Sequence, residues 1–496
     1  MATIIADPVA RIEGHLKVRL EIDDGTNVIT NAELTGNMYR GFENFIIGQA
    51  PVDAPLITQR VCGVCPTAHG VASVLAMDDA AKVQAPPNGV ILRNLINGAE
   101  FLHSHLLHFY HLALQDYIDM PAGLDGVALN KGPWAPVYGQ PQMRIYDDAG
   151  TIKTDLDGLI VSYLGALENR RKAHTVGAII AGKQPHAASI IGGGCSANLT
   201  ATDVTNMTTL VTGIRDFIQN TYIPDLSLVF DTYYSDYYSI GTGSGKLLSY
   251  GVFRQGTGST TNMLIKRGIY DGASVVEIMD HNNIVEDISA GWYTGSDNLH
   301  PGNGETNPDP TKVAGYSWLK APRYKTGGIS KDVYEVGPLA RMVVNGSYPA
   351  NISVADREKA RGVEALLVAN AMLTWLSDIV ANGLSEPSYV PYEVPPSTTG
   401  VGLTEAIRGA LGHWVEYDAQ GNIAHYQIIT PTCWNASPQD ADSIHGTIEQ
   451  ALIGVTVTDP SQPVEAMRVI HSYDPCLACA VHVVRPNGTV KEFIVK

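Results

Sequence analysis

The chain has little cysteine and little positive charge, and each shortage excludes a class of protein. Six cysteines in 496 residues are too few for a disulfide scaffold. Lysine and arginine number 33 against 50 acidic residues, and the net charge of −17 excludes a nucleic-acid surface, which needs a basic stripe. No apolar run predicts a membrane span, and the N-terminus, MATIIADPVARIEGH, lacks the basic start and apolar stretch of an export signal. We therefore expect a globular protein that is cytoplasmic or is exported together with a partner.

The periodicity of the chain predicts an α+β fold with a mainly helical core bundle. Residues 1–40 alternate apolar and polar side chains around an Asp-Gly turn, which predicts an N-terminal β-hairpin region. Helical periodicity is found over 88–117, 207–220 and 357–381. Asn382-Gly383 is a plausible end for the last of these helices. Two regions rich in Gly, Ser, Tyr and Pro, 232–263 and 292–330, predict irregular layers and peripheral short sheets. No domain boundary is visible, so we expect a single domain over residues 1–496.

Four of the six cysteines form two CxxC pairs at opposite ends of the chain, and they are Cys62, Cys65, Cys476 and Cys479. Each pair is followed by a histidine, His69 in RVCGVCPTAHG and His482 in SYDPCLACAVHV. Four thiolates can make a tetrahedral zinc site, and they equally suit softer redox metals. If the two pairs share one site, both chain ends must meet at a buried metal. The spacing alone leaves zinc open.

Five short motifs together resemble the large subunit of nickel–iron hydrogenases, and they are RIEGHL (11–16), MYRGFE (38–43), RVCGVCPTAH (60–69), EVGPLARM (335–342) and DPCLACAVH (474–482). The resemblance covers essentially the whole chain and is most similar to the nickel–iron–selenium branch. It implies a catalytic subunit that cleaves H2 reversibly and heterolytically into protons and electrons. Two alternatives stay open, a regulatory subunit that senses H2 and a zinc-stabilised scaffold without chemistry.

The resemblance also implies the cofactor and its ligands. A nickel ion is expected on all four paired cysteines, with Cys65 and Cys479 bridging to an iron that carries carbonyl and cyanide ligands. Cys62 and Cys476 are then terminal on nickel, and Cys476 is the candidate to take the proton from H2. Relatives in the selenium branch have selenocysteine at the position of Cys476.

Two residues are predicted to donate hydrogen bonds to the cyanides, Arg408 in EAIRGALGHW and Thr432 in ITPTCWN. The chain departs from the family pattern beside both of them. Ile407 replaces the proline of the family, and Cys433 stands where threonine or leucine is usual. Ser104 stands where many members carry an aspartate near this arginine, which again fits the selenium branch.

Two further sites follow from the same resemblance. A magnesium ion, or iron, is expected near the C-terminal motif on Glu43, the carbonyl of Ile428 and His482. Glu13 in RIEGHL is predicted to be the first proton relay after Cys476. The alternative for Glu13 is a structural salt bridge with Arg11.

The cysteine count predicts an obligate partner. With four cysteines on nickel, the isolated Cys195 and Cys433 cannot hold an iron–sulfur cluster, so electrons must leave through a small subunit that carries such clusters. Co-export with this subunit favours a periplasmic or membrane-associated location, with membrane attachment only through a partner, and a cytoplasmic location stays open. The family also implies nickel-insertion factors, and a maturation protease that removes the tail 483–496 after His482.

Overall fold

The computed structural model describes residues 2–118, 155–256, 262–276, 279–328, 330–460 and 463–477. The α-helices of this part are α1 (Phe42–Phe45), α2 (Ala54–Thr58), α3 (Pro66–Ala81), α4 (Pro87–Leu107), α5 (Asp155–Ala181), α6 (Ala201–Phe217), α7 (Ile223–Ser227), α8 (Pro338–Val344), α9 (Val354–Asn382), α10 (Pro431–Asn435), α11 (Thr447–Leu452) and α12 (Val464–Ser472). The strands are β1 (Ala2–Ala6), β2 (Leu16–Ile22), β3 (Ile29–Gly36), β4 (Ile190–Ile191), β5 (Gly194–Cys195), β6 (Leu247–Ser249), β7 (Val252–Arg254), β8 (Met263–Ile265), β9 (Gly268–Tyr270), β10 (Val275–Val276), β11 (Ile284–Asp287), β12 (Tyr293–Thr294), β13 (Asn307–Pro308), β14 (Ala321–Thr326), β15 (Ser330–Asp332), β16 (Thr399–Ala406), β17 (Gly409–Tyr417) and β18 (Ile423–Ile429).

The N-terminal strands form an antiparallel sheet in the order β1-β2-β3. Asp23 organises the predicted turn, because its Oδ1 accepts hydrogen bonds from the backbone N–H groups of Gly25 (3.1 Å) and Thr26 (2.9 Å). Strand β3 continues the contact into the C-terminal part of the chain, where the Ile29 N–H donates to the Val455 carbonyl at 2.9 Å. The hairpin prediction is confirmed, and this sheet joins the two ends of the chain.

The helical core contains the helices that the periodicity predicts. Helix α4 continues beyond Leu107 through a π-helical turn over His108–Ala113, which together match the predicted 88–117 segment. Helix α9 begins three residues earlier than predicted, because the Ser353 hydroxyl accepts the Asp356 N–H and caps the first turn. It ends at Gly383, whose φ of 102° suits glycine. Helix α6 also begins earlier than predicted, at a capping box formed by Thr200 and Asp203.

Helix α9 has a property that the sequence analysis did not find. Its most apolar 18-residue window has a mean hydropathy of 1.5, which by length and composition is enough to cross a membrane. Half of that window is buried inside the fold, and the core helix of any folded domain passes the same test.

A three-stranded antiparallel sheet, β16-β17-β18, packs against helix α3 and was not predicted. The two elements approach so closely that a Cβ atom on Gly402 of β16 would lie 1.9 Å from the carbonyl oxygen of Ala72 on α3. Only glycine fits at such a contact. This packing fixes the N-terminus of α3 relative to the tight turn between β16 and β17, and both of these carry predicted site residues.

The remaining strands form two- and three-stranded peripheral sheets. Of these strands, β6, β7, β12, β13 and β14 lie entirely within the regions predicted to be irregular, and the others lie wholly or mostly outside them. The α+β class with a helical core, an N-terminal hairpin region and short peripheral sheets is therefore confirmed. The single-domain assignment stays a prediction.

Candidate metal centre

Cys62 and Cys65 lie on the turn that leads into helix α3. The backbone N–H groups of Val64 and Cys65 donate to Cys62 Sγ at 3.2 and 3.3 Å, which favours the thiolate form of that sulfur. Arg40 holds the preceding segment through the carbonyls of Val61 (2.8 Å) and Arg60 (2.6 Å). Cys65 is the N-cap residue of α3, with Pro66 in the first turn. The local chain therefore holds the Cys62 sulfur, and the start of helix α3 sets the backbone position of Cys65.

Cys476 meets this pair from the other end of the chain. Its Sγ lies 3.5 Å from Cys62 Sγ, and the three sulfurs of Cys62, Cys65 and Cys476 all lie within 4.8 Å of one another. All three side chains are buried. The segment is held from outside the cluster, because the Leu477 N–H donates to the Glu13 carbonyl at 2.7 Å. The predicted meeting of the chain ends is thus present in the structure.

Arg408 and Thr432 stand beside these sulfurs. Arg408 occupies the two-residue turn between β16 and β17, where Ala406 pairs with Gly409. Its Nη2 donates to Asp474 Oδ1 at 3.1 Å. Burial lowers the pKa of Arg408, but the charges of Asp474 and of the three thiolates raise it well above its usual value. Thr432 Oγ1 accepts the N–H of Cys476 at 3.2 Å, so its own hydroxyl hydrogen stays available.

The residues present fit a nickel–iron centre with anionic ligands on iron. Three soft thiolates gather at one point, as nickel and low-spin iron require. Arg408 Nε and Nη1 are buried and have no hydrogen-bond partner in the described ranges. Buried donors without a partner are costly, so these N–H groups indicate a missing acceptor at the site.

Glu13 lies beside the CxxC turn. A Cβ atom built on Gly63 would be 3.9 Å from Glu13 Oε2, which places the carboxylate next to the residue between the two cysteines. Burial, and after it the charge of Cys62, raises the pKa of Glu13. Arg11 is an ion-pair partner of Asp116 and also donates to the Leu112 carbonyl. The Arg11 guanidinium is thus engaged with the end of the α4 segment, which weakens the salt-bridge alternative for Glu13.

Glu43 and Ile428 meet in a separate small cavity. The Ile428 N–H donates to Glu43 Oε1 at 2.9 Å, so the observed contact uses the amide of Ile428 and not its carbonyl. The sequence analysis missed Glu286 and Lys320, which line the same cavity and lie 3.4 Å apart. Burial raises the pKa of Glu286. Cys433 lines this cavity too.

Two further buried groups near the cysteines had no assigned role. Glu100 on α4 accepts the N–H groups of Thr67 (2.9 Å) and Ala68 (3.2 Å) and so satisfies the first turn of α3. Burial raises the pKa of Glu100 to about 8. His69 Nδ1 lies 3.2 Å from Nε2 of His413, and burial lowers the pKa of His69 to about 4, so its ring is neutral. Of these two groups, only His69 had a signal in the sequence, which is its position four residues after Cys65.

Cys479, His482 and the tail 483–496 lie outside the described residues. The fourth nickel ligand, the histidine ligand of the second cation and the cleavage point therefore stay predictions.

Comparison with known proteins identifies the family. A family model described as nickel-dependent hydrogenase matches residues 40–128, 127–351 and 346–482, and a HoxL-like model matches residues 3–34. The chain is 38% identical to the periplasmic [NiFeSe] hydrogenase large subunit of Desulfomicrobium baculatum, over 99% of this chain and 97% of the relative. It is 32% identical to the Hydrogenase-1 large chain of Escherichia coli, over 98% and 96%.

Solved structures agree with this assignment. The Ni-Fe-Se hydrogenase of D. vulgaris Hildenborough superposes with a TM-score of 0.85 at 35% identity, covering 97% of this chain and all of the other. The [NiFeSe] hydrogenase of Dm. baculatum also gives 0.85, at 36% identity. The chain therefore belongs to the nickel-dependent hydrogenase family. Within that family it is a large subunit of the nickel–iron–selenium type, and this assignment favours a nickel–iron centre over zinc.

Proposed function

We propose that this chain is the catalytic subunit that cleaves H2 reversibly into protons and electrons. The observation that carries the proposal is the cluster of three buried thiolates beside the unpartnered N–H groups of Arg408. We assign Cys62, Cys65, Cys476 and Cys479 as the residues that would hold nickel, and Cys65 and Cys479 would also hold the iron. When bound, the metal pair supplies a Lewis acid and an electron acceptor for heterolytic cleavage.

The protein side chains then handle the proton and hold the iron ligands. Cys476 would hold nickel as a terminal ligand, and its buried thiolate would be the base that takes the proton. Glu13 receives it next, since its carboxylate lies beside the CxxC turn and its main chain bonds the residue after Cys476. Arg408 Nε and Nη1 and the Thr432 hydroxyl would donate hydrogen bonds to the cyanide ligands. Charge-assisted donors in a dry pocket fix these anionic ligands and exclude water.

We assign the second cation, magnesium or iron, to the cavity beside Glu43. Glu43 supplies a carboxylate, the Ile428 carbonyl and His482 are the other predicted ligands, and ordered waters complete the shell. Glu286 and Lys320 are placed to hold such waters. A cation held by Glu43, Ile428 and His482 would tie the C-terminal motif to strand β18.

Hydrogen oxidation by a two-subunit complex tests the proposed function. We expect the purified complex to contain nickel and iron in about equal amounts at this centre and to reduce a viologen dye with H2. The large subunit alone is expected to show no full-rate dye reduction, because the iron–sulfur clusters that carry electrons from the buried metals to the surface are expected in the small subunit. A zinc-only large subunit, or full activity of this chain without its partner, would contradict the proposal.

The partner is an iron–sulfur small subunit, and an exposed apolar patch is its proposed docking surface. The 45–56 patch consists of Phe45, Ile47, Val52 and Leu56, whose exposed fractions run from 41% to 71%. Permanent complexes use large apolar interfaces, and electrons need a short path. Helix α2, which carries Leu56, leads within four residues to Cys62. An iron–sulfur cluster in a subunit docked here would therefore lie on the side of the protein that carries Cys62.

Replacing Leu56 by aspartate is expected to weaken the complex. An unpaired charge at the centre of an apolar interface costs about 2 kcal/mol, or about 30-fold in the dissociation constant. Co-purification of the small subunit from a double-tagged expression measures the effect. Val313→Asp is the control, because Val313 is 99% exposed and lies far along the chain from the patch. Equal recovery of the partner with both variants would rule out the 45–56 patch as the docking surface.

Maturation and location follow from the family. We propose that nickel-insertion factors load the centre and that a protease then removes residues 483–496. The family match ends at residue 482, which agrees with a cut after His482. The Desulfomicrobium relative is named as periplasmic. We propose a periplasmic or membrane-associated location reached by co-export with the small subunit.

A further inference from the structure

The EVGPLARM motif contains a fully buried arginine whose role the cysteine site does not explain. Arg341 has five N–H groups, and each makes a hydrogen bond. Two go to Glu364 on helix α9, from Nε to Oε1 at 2.5 Å and from Nη2 to Oε2 at 2.6 Å. A third, from Nη1, goes to Glu405 Oε2 at 2.9 Å. Such a saturated, bidentate pair fixes the guanidinium in one orientation.

The other two hydrogen bonds reach the turn that carries Arg408. Arg341 Nη1 donates to the Ala406 carbonyl at 2.9 Å, and Nη2 donates to the Ile407 carbonyl at 2.6 Å. These are the two peptide groups immediately before Arg408, in the two-residue connection between β16 and β17. One side chain therefore ties the turn to helix α9, the longest helix of the described core.

The segment that precedes Arg341 supports the same turn from below. A Cβ atom on Gly409, the residue after Arg408, would lie 2.5 Å from a methyl carbon of Val336 and 2.7 Å from the Gly337 nitrogen. Asn435 holds Val336 in place by bonding both its N–H (3.0 Å) and its carbonyl (2.8 Å). The turn is thus packed on residues 336–337 and bonded to Arg341, so the whole EVGPLARM motif acts as its platform.

The ion pair at the base of this platform joins Arg341 to Glu364. Burial acts to raise the pKa of Glu364, but the Arg341 charge lowers it to about 2. His105 adds a further contact to Glu364, with Nε2 at 2.8 Å from Oε2. The Arg341 charge and hydrogen bonds therefore favour the ionised form of Glu364. By contrast, within the described residues the Arg408 side chain makes one hydrogen bond, to Asp474, so the direction of its guanidinium depends on where the turn is held.

We propose that Arg341 is a positioning residue that aims the Arg408 guanidinium at the iron ligands by fixing the peptide groups of the β16–β17 turn. The inference rests on the proposed function, since it assumes anionic ligands beside Arg408. It assigns to EVGPLARM a role in ligand geometry, in addition to its contribution to the core.

Arg341→Lys in the purified two-subunit complex tests the inference. Lysine keeps the charge but has three donors on one nitrogen and no planar fork, so it cannot replace the five hydrogen bonds of Arg341. We expect the metal content to be kept, while the infrared cyanide stretching bands shift and broaden because Arg408 no longer donates in one geometry. Turnover is expected to fall by about 100-fold, which is the cost of a misplacement of about 1 Å at a catalytic site.

Arg93→Lys is the matched control. Arg93 is also buried and bonds one carboxylate, Asp78 (2.8 Å), and the carbonyls of Ile191 and Gly194 (2.5 and 2.8 Å), away from the turn. Its substitution is expected to lower stability and leave the bands unchanged. Absence of cyanide bands from the wild-type complex would contradict the proposed function instead of the role of Arg341.

Bands of unchanged position and width in Arg341→Lys would overturn the inference. A second variant, Glu364→Gln, removes the charged anchor while keeping both carbonyl acceptors, and we expect a smaller change of the bands in it. If neither variant loads metal while Arg93→Lys does, Arg341 is needed for folding or loading, and the positioning role is wrong.

Discussion

A Glu13→Gln variant is expected to bind both metals normally and to lose H2 turnover. Glutamine keeps the shape and hydrogen bonding of the side chain but cannot accept and release a proton. Proton transfer by a positioned side chain contributes about 100- to 10,000-fold to a rate, and we expect a loss within that range. Dye reduction by H2 measures turnover, while metal analysis and the spectra of the metal centre measure its integrity. The raised pKa of Glu13 agrees with a group that must exchange protons with a thiolate.

Glu21→Gln is the control for this variant. Glu21 lies on strand β2 of the same N-terminal sheet and pairs with Arg19 at 2.9 Å, at a partly exposed position. Its substitution removes a carboxylate of equal size without touching the CxxC turn, so full turnover is expected. Unchanged turnover in Glu13→Gln would exclude Glu13 as an obligatory relay. A loss of turnover together with altered metal spectra would assign Glu13 a structural role.

Replacing Cys62 by serine is expected to yield a large subunit without nickel. The Cys62 sulfur lies 3.5 Å from Cys476 Sγ and accepts two backbone N–H groups, so it is held in the cluster by the local chain. A serine hydroxyl stays protonated at neutral pH and is a hard donor that nickel binds poorly. Changing a residue that merely orients a ligand costs about 10- to 100-fold in metal affinity, and loss of a ligand costs more. Elemental analysis of the purified chain measures nickel and iron.

Cys195→Ser is the matched control for this second variant. Cys195 is also fully buried, but it lies on strand β5 and its Sγ donates to Ser189 Oγ at 3.4 Å, so it belongs to a different part of the core. Burial raises the pKa of Cys195, which keeps it a thiol and a poor metal ligand. We therefore expect nickel to be retained after its substitution. Nickel loss in both variants would indicate that a general folding defect, and not the ligand, is responsible.

Short-range signals made the sequence informative about individual elements. The Asp-Gly turn at 24–25 predicted the hairpin because its geometry depends on residues within a few positions of the turn. Asn382-Gly383 ended α9 as predicted for the same local reason. Helix α5, over Asp155–Ala181, was missed because its apolar residues surround the whole helix. Leu159 and Ala166 are buried, whereas Val161 and Leu164 are exposed.

Strands β16–β18 were missed for a different physical reason. They are buried on both faces, so they do not alternate between apolar and polar residues, and glycines such as Gly402 lower their apparent strand propensity. Those glycines are explained by the close approach of α3, which no local pattern reveals. The sequence analysis therefore placed Arg408 in a family motif but did not predict that Ile407 and Arg408 form the turn of a β-hairpin.

The sequence by itself determined the family, because cysteine spacing and motif order are properties of the chain alone. Only the tertiary structure decided which groups surround the metal centre. Arg341 bonds the turn that carries Arg408, and Arg11 pairs with Asp116. Glu286 and Lys320 line the same cavity as Glu43. Each of these contacts links residues far apart in the chain. Burial explains these pairings, because a charge taken out of water is stabilised by an opposite charge close to it, and the fold decides which residue supplies that charge.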